Sequence, residues 1–386
     1  MRQKTLFLFF MIGTFTVGMA EYVVTGLLTQ ISADMNVRIS TTGLLISVYA
    51  ISVALIGPIM RILTLKFQAK RLLPILIVIF IVSNIIAALA PNFNVLLISR
   101  LLSASMHAPF FGVCMSVASA IVPPQKKTHA IALVQAGLTI AVMIGVPFGS
   151  FFGGLSNWRI VFVIMIGLAL ITLIGLLKYT PDITLSSEVN VKNELKIFKN
   201  PHVLIIISII VFGYSGVFTT YTFMEPILHQ YAPYGTTGLT VCLFMFGLGG
   251  VIGNLATGSV PEPRLTQYLY YTFLLLLITI FFFVFTVHNA VLALIICFAF
   301  GFGTFGTTPL LNSKVILSAK DAPLLSSTVA ASVFNLANFL GAVIGSLLLE
   351  SGFDYKRLTL ISSAIILLGI ILNGVNHFYE KRHAIS

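Results

Sequence analysis

Apolar stretches, each about long enough to cross a bilayer, recur along the chain with short polar breaks between them. A crossing helix needs about 20 apolar residues at a rise of about 1.5 Å each. On that measure the pattern predicts twelve helices: 5–29, 41–64, 71–90, 94–122, 130–152, 159–178, 202–226, 237–258, 267–286, 290–316, 323–349 and 358–379. The breaks are short except 179–200, which gathers Asp182, Glu188, Lys192, Glu194, Lys196 and Lys199. This polar segment, near the midpoint, predicts a linker between a six-helix half over 1–178 and a second over 201–386. The expected fold is therefore an all-α membrane protein with twelve transmembrane helices in two six-helix halves. The halves also read as a repeat. A shift of 196 places Gly57 on Gly253, Gly145 on Gly341 and Gly149 on Gly345, where chance gives about one glycine match. At 197, Trp158-Arg159 falls on Tyr355-Lys356.

Within this pattern the region 98–154 stands out. Arg100 lies inside the fourth apolar run, with no acidic residue between it and Gly154. An arginine at membrane depth costs at least a few kcal/mol and rarely faces lipid. The fifth run carries Gly145, Pro147 and Gly149, then Gly153 and Gly154. Glycines four apart let a neighbouring helix approach closely, and an internal proline bends its helix. Both features predict a bundle with a polar interior.

Composition turns the pattern into a class. The chain has 386 residues, 58% hydrophobic and 9% charged, with mean hydropathy +1.04. Soluble domains carry about 25% charged residues. An integral membrane protein follows, and the first run reads as a span rather than a cleaved leader. A net charge of +11 would suggest nucleic acid in a soluble chain. Here the basic residues flank the spans, which predicts contact with membrane lipid and no nucleic-acid partner. With both termini placed in the cytoplasm, only Arg38, Arg159, Lys356 and Arg357 of the 22 lysines and arginines fall outside, and Arg100 lies within the membrane. Trp158 reads as an interfacial anchor beside Arg159. Cys114, Cys242 and Cys297 each sit alone in apolar runs and offer neither a disulfide framework nor metal spacing.

Candidate chemistry is sparse. Glu21 is the one carboxylate well inside a span of the first half. Counted from the outer end of span one near Leu28, it lies about 10 Å deep, and Arg100 lies at a similar depth in span four. A carboxyl that is both buried and near a cation can gain and lose a proton in a cycle. The competing reading is a permanent ion pair that only holds the two spans together. His107 follows Arg100 by two helical turns on one face. It can touch substrate, relay a proton or make a buried hydrogen bond. Pro109 should bend span four beside it, and Pro147 should bend span five.

In the second half, Asn335 and Asn338 are three apart near the middle of span eleven, so both should face protein or water. Gly341 and Gly345 continue that span with a second close-packing spacing. Tyr49, Gln135, Tyr214 and Tyr221 are further candidate cavity residues. Glu225 reads as an interfacial loop residue at the outer end of span seven. No phosphate-binding loop, paired-histidine zinc motif or nucleophile constellation is present in the sequence, so no enzymatic activity, metal or cofactor is expected. An ion gradient is the remaining energy source.

These motifs resemble a known family. Glu21-Tyr22-Val23-Val24-Thr25-Gly26-Leu27-Leu28, Arg100, His107-Ala108-Pro109-Phe110-Phe111-Gly112, Gly145-Val146-Pro147-Phe148-Gly149 and Phe334-Asn335-Leu336-Ala337-Asn338 are similar to motifs of the major facilitator superfamily. The likeness is to its twelve-span drug:proton antiporters, in the branch of arabinose-efflux and purine-nucleoside-efflux permeases. It covers nearly the whole chain. The resemblance implies an alternating-access cavity between the halves, proton coupling through Glu21 and Arg100, and export of a drug or metabolite such as a nucleoside or sugar derivative. The loop 61–71 departs from the family pattern because it has no acid, which removes the charge relay the family places there. Lys66, Lys70 and Arg71 can still bind anionic lipid.

The expectation is a monomeric, proton-coupled exporter in the cell membrane. With one embedded carboxylate, its substrate is expected to be neutral or zwitterionic. A proton-independent facilitator or importer, and a non-transporting membrane sensor, are the alternatives.

Overall fold

The computed structural model describes residues 2–64, 67–183, 199–232, 234–318 and 323–384. The described chain is helical, with no strand among those residues. Among the described residues, twelve helices are long and apolar enough to span a membrane: Gln3–Gly26, Ile39–Met60, Ala69–Ala88, Phe93–Ala120, His129–Leu155, Arg159–Tyr179, Pro201–Thr222, Gly235–Thr257, Glu262–Thr286, Ala290–Ser318, Val329–Glu350 and Tyr355–Arg382. Each coincides with one apolar run of the sequence. Side chains such as Leu170, Ile174 and Leu177 on span six, and Leu274, Ile278 and Phe282 on span nine, remain exposed. They form apolar outer faces suited to hydrocarbon rather than water.

The chain divides into two compact units, one of Met1–Val37 and Val48–Glu188, the other of Arg38–Ser47 and Val189–Ser386. The short stretch Arg38–Ser47 groups with the second unit, where Gly43 lies against Ser346 and Phe223. Most of the expected linker, 184–198, lies outside the described residues.

The glycines explain how each unit closes. In the first, a Cβ on Gly145 would sit 3.1 Å from Tyr22 Cβ, and one on Gly149 would collide with the Val23 carbonyl. In the second, a Cβ on Gly341 would sit 2.6 Å from Phe218 Cβ and 2.8 Å from the Thr219 nitrogen, and Gly345 faces the Thr219 carbonyl at 3.1 Å. Shifting Tyr22 and Val23 by 196 gives Phe218 and Thr219. Each unit therefore packs its fifth helix on its first through glycines at equivalent positions.

Several local features shape the spans. Helix continues through Pro109 and Pro147, so neither proline breaks its span. Span one ends in a 3-10 turn at Val23–Gly26, followed by a separate helix at Leu28–Met35. A Cβ on Gly26 would collide with the Val146 carbonyl, so the turn brings span one against the span-five backbone. Span seven contains a π-helical segment at Ile209–Tyr214, where Gly213 meets Gly369 of span twelve.

Two side chains correct the sequence reading. Trp158 is not an interfacial anchor: it is 2% exposed, and its indole donates to Asp34 Oδ2 at 3.0 Å. Glu225 is not an exposed loop residue but is fully buried in the short helix Met224–Tyr231. Cys114, Cys242 and Cys297 are all buried with free thiols. The fold thus encloses two side chains, Trp158 and Glu225, that a local reading assigned to the membrane interface.

Candidate functional site

Four polar side chains of the first unit form one chain of contacts. Glu21 closes the last turn of the helix Arg2–Tyr22, at the level where Gly18 meets Leu138 and Gly145 meets Tyr22. Its Oε2 lies 3.7 Å from His107 Nε2. His107 Nδ1 is 2.8 Å from the Tyr49 hydroxyl. The Arg100 guanidinium lies over the Tyr49 ring, 4.3 Å from its centroid. Phe111 stacks on the other imidazole surface at 4.9 Å. Spans one, two and four thus contribute an acid, a phenol, a cation and an imidazole to one buried cluster.

The expected direct bond between Glu21 and Arg100 is absent among the described residues; His107 and Tyr49 stand between them. The helical rise gives the reason. Arg100 and His107 share a face of span four but are about 10 Å apart along it, so one short acid cannot meet both in the same arrangement. The acid meets the histidine, and the guanidinium finds the aromatic face.

Arg100 is 2% exposed, and its Nε and Nη2 have no hydrogen-bond partner. Those two nitrogens form one edge of the planar guanidinium, the edge that grips a carboxylate with two parallel bonds. A buried cation with that edge unfilled is costly, and the Tyr49 ring offsets part of the cost. When neutral, His107 carries one N–H. With the proton on Nε2 it faces Glu21 and accepts from Tyr49, and with the proton on Nδ1 the roles reverse. The imidazole can therefore pass hydrogen-bond polarity between the carboxyl and the phenol.

The remaining expected site residues do not join this cluster. Gln135 is exposed, with Nε2 3.7 Å from Met115 Sδ. Tyr214 is buried in the second unit and donates its hydroxyl to the Thr304 carbonyl, fastening span seven to span ten. Tyr221 stacks on Phe246 at 5.1 Å. Both tyrosines are therefore packed into their own unit. Asn335 donates Nδ2 to Ala331 O at 3.1 Å, and its buried Oδ1 has no hydrogen-bond partner. Asn338 is likewise buried with Oδ1 unfilled. Pro109, Gly145, Pro147, Gly149, Gly341 and Gly345 shape and pack the helices around these groups, as the glycine contacts above describe. Lys70 and Arg71 are exposed, and Lys66 lies outside the described residues.

Sequence reasoning missed a second charged cluster. Lys314 sits near the end of span ten and is only 5% exposed. Its Nζ reaches Glu380 Oε1 on span twelve at 2.5 Å. The same carboxylate meets His202 Nε2 at 3.3 Å and accepts from Asn376 Nδ2 at 3.1 Å and Thr266 Oγ1 at 3.0 Å. Lys314 is a cation at the end of an apolar run, the same signal that drew attention to Arg100. Its partner, 66 residues away, gave no such signal. Among the described residues no group of acids, histidines and cysteines could hold a metal.

Comparison with known proteins shows what the chain as a whole is similar to. A family profile described as Major Facilitator Superfamily matches residues 10–346. The chain is 42% identical over 379 residues to the MFS-type transporter YfhI of Bacillus subtilis strain 168, covering 98% of this chain and 96% of that protein. It is 30% identical over 348 residues to a probable sugar efflux transporter of Helicobacter pylori strain P12, covering 90% of this chain and 89% of that one. A crystal structure of the nucleoside transporter NupG superposes with a TM-score of 0.77 at 13% identity, covering 97% of this chain and 100% of that one. At that identity the likeness speaks for the fold alone.

Proposed function

The chain belongs to the Major Facilitator Superfamily of membrane transporters, and from that premise we propose that it exports a small neutral, hydroxyl-bearing organic molecule in exchange for protons. The observation that carries the reading is the unfilled edge of Arg100 beside a carboxyl that is engaged elsewhere. Glu21 is the proton carrier. Protonated, it rests against His107. Ionised, it moves to the free edge of Arg100, where two charge-assisted bonds replace none. Tyr49 and His107 lie between the two positions and must shift for the exchange to occur. Coupling follows if the two arrangements belong to opposite-facing states, because the proton then biases which state is populated.

The substrate class rests on Asn335 and Asn338. Each presents a buried amide oxygen without a donor, and a buried acceptor left unfilled costs about 1–3 kcal/mol. A ligand rich in hydroxyl or amino donors removes that cost, whereas an apolar one leaves it. A similar protein from Helicobacter pylori is described as a probable sugar efflux transporter, which agrees with a donor-rich molecule. One proton exchanged for one neutral molecule moves net charge, so transport would respond to membrane potential. The protein acts as a monomer in the cell membrane with both termini in the cytoplasm, and needs no cofactor beyond the proton gradient.

The test is a substrate panel on inverted vesicles with a pH-sensitive dye. A transported polyol should release protons in the wild type, and Glu21→Gln should abolish that release. Undiminished proton-driven export by Glu21→Gln, or wild-type flux that ignores an imposed pH gradient, overturns the scheme. Indifference to the gradient would favour a facilitator.

A further inference from the structure

A cavity of about 520 Å³ opens at one end of the second unit, between spans nine and twelve. Its lining includes Thr266, Gln267, Tyr270, His377, Glu380 and Lys381. None of these residues enters the transport scheme. The cavity lies where span nine begins and span twelve ends, the end towards which the lysines and arginines of the chain are biased.

Charge decides what the cavity accepts. Glu380 is its one acid, and that carboxylate is already matched by Lys314 at 2.5 Å and by donors from Thr266 and Asn376. Lys381 then remains as the one uncompensated full charge among the described lining residues. It is exposed, and His377 is partly so. The lining offers a single net positive charge together with the Tyr270 hydroxyl and the His377 imidazole. That set suits one singly charged phosphodiester. Continuing along span nine from the cavity are the exposed apolar side chains Leu274 and Ile278. Free phosphate has no use for such a surface, whereas acyl chains do.

We propose that this cavity binds the headgroup of an anionic phospholipid, with the phosphodiester on Lys381 and the acyl chains along span nine. The site is independent of the transport reading, so a failure of the Glu21 scheme leaves it untouched. A membrane leaflet rich in anionic lipid supplies the ligand.

The experiment uses the full chain purified in a neutral detergent, with lipid retention read by native mass spectrometry. Phosphatidylglycerol, phosphatidylcholine and inorganic phosphate are added in separate arms. Phosphatidylglycerol should be retained over phosphatidylcholine, and inorganic phosphate should not compete. Lys381→Gln should weaken retention about fivefold, the worth of one basic residue near an anionic lipid. Arg382→Gln, an exposed neighbour that does not line the cavity, should leave it unchanged. Equal retention of the two lipids, competition by phosphate alone, or equal losses in the two variants would each overturn the proposal. The last outcome would mean diffuse attraction to a basic surface rather than a site.

Discussion

Tyr49 carries two separable loads, and two variants should distinguish them. Its hydroxyl bonds His107 Nδ1 at 2.8 Å, and its ring lies 4.3 Å below the Arg100 guanidinium. Tyr49→Phe removes only the hydroxyl. It leaves a buried imidazole nitrogen without its partner, at a cost of about 1–3 kcal/mol. Tyr49→Leu also removes the ring. The cation–π contact of a desolvated pair is worth about 2 kcal/mol, and the truncated volume adds to the loss. Because Arg100 has Nε and Nη2 unfilled already, removing the ring leaves the cation poorly compensated. Replacing that cation as well should then recover stability, since an apolar side chain of similar size tolerates the site better than a lone charge does. The expected order of thermal midpoints in detergent is wild type, then Tyr49→Phe, then Tyr49→Leu/Arg100→Met, with Tyr49→Leu lowest. If the double variant unfolds at or below the temperature of Tyr49→Leu, the guanidinium is held by something other than the ring. The electrostatic account of this cluster would then be wrong.

Other consequences can be checked in the same preparations. Gly149→Ala should destabilise by about 1–3 kcal/mol because its methyl meets the Val23 backbone; Gly167→Ala, with nothing within 4 Å, should be neutral or stabilising by up to about 1 kcal/mol. A thermal scan in which the two behave alike would contradict the packing described. Glu380→Gln should cost more than Lys314→Met, by about 1–3 kcal/mol, because it strands the more buried ion; the reverse order in unfolding midpoints would refute this. Hydrogen bonds from Arg159, then Trp158, lower the pKa of Asp34 below its ordinary 3.8. The resulting stability is present above that value and is lost as pH falls through the lowered one. With Asp34 41% exposed, the effect is only about 0–1 kcal/mol. Asp34→Asn should flatten the acid limb of the melting profile, and an unchanged limb would assign it to other groups.

How much was legible in the sequence depends on whether the signal was local. Span positions follow from runs of apolar residues, since backbone groups in hydrocarbon must bond within their own helix. The glycine spacings at 145/149 and 341/345 foretold close helix contacts, because a missing Cβ is a local property with one main use inside a span. Arg100 and Glu21 declared themselves by being charged among apolar neighbours. Their partners did not. The interposition of His107 and Tyr49, the fastening of Tyr214 to span ten, the burial of Glu225 and the meeting of Lys314 with Glu380 all depend on which helices lie side by side.

By itself, then, the sequence determined where the helices lie, that they cross a membrane, and which few polar groups would need company there. Only the tertiary structure decided the company. Hydropathy acts residue by residue along one chain, whereas a contact energy depends on two residues whose separation is set by the packing of every helix between them. The acid expected to grip an arginine is instead found against a histidine two turns along the same face of span four, and which of the two it meets depends on how spans one and four are set against each other.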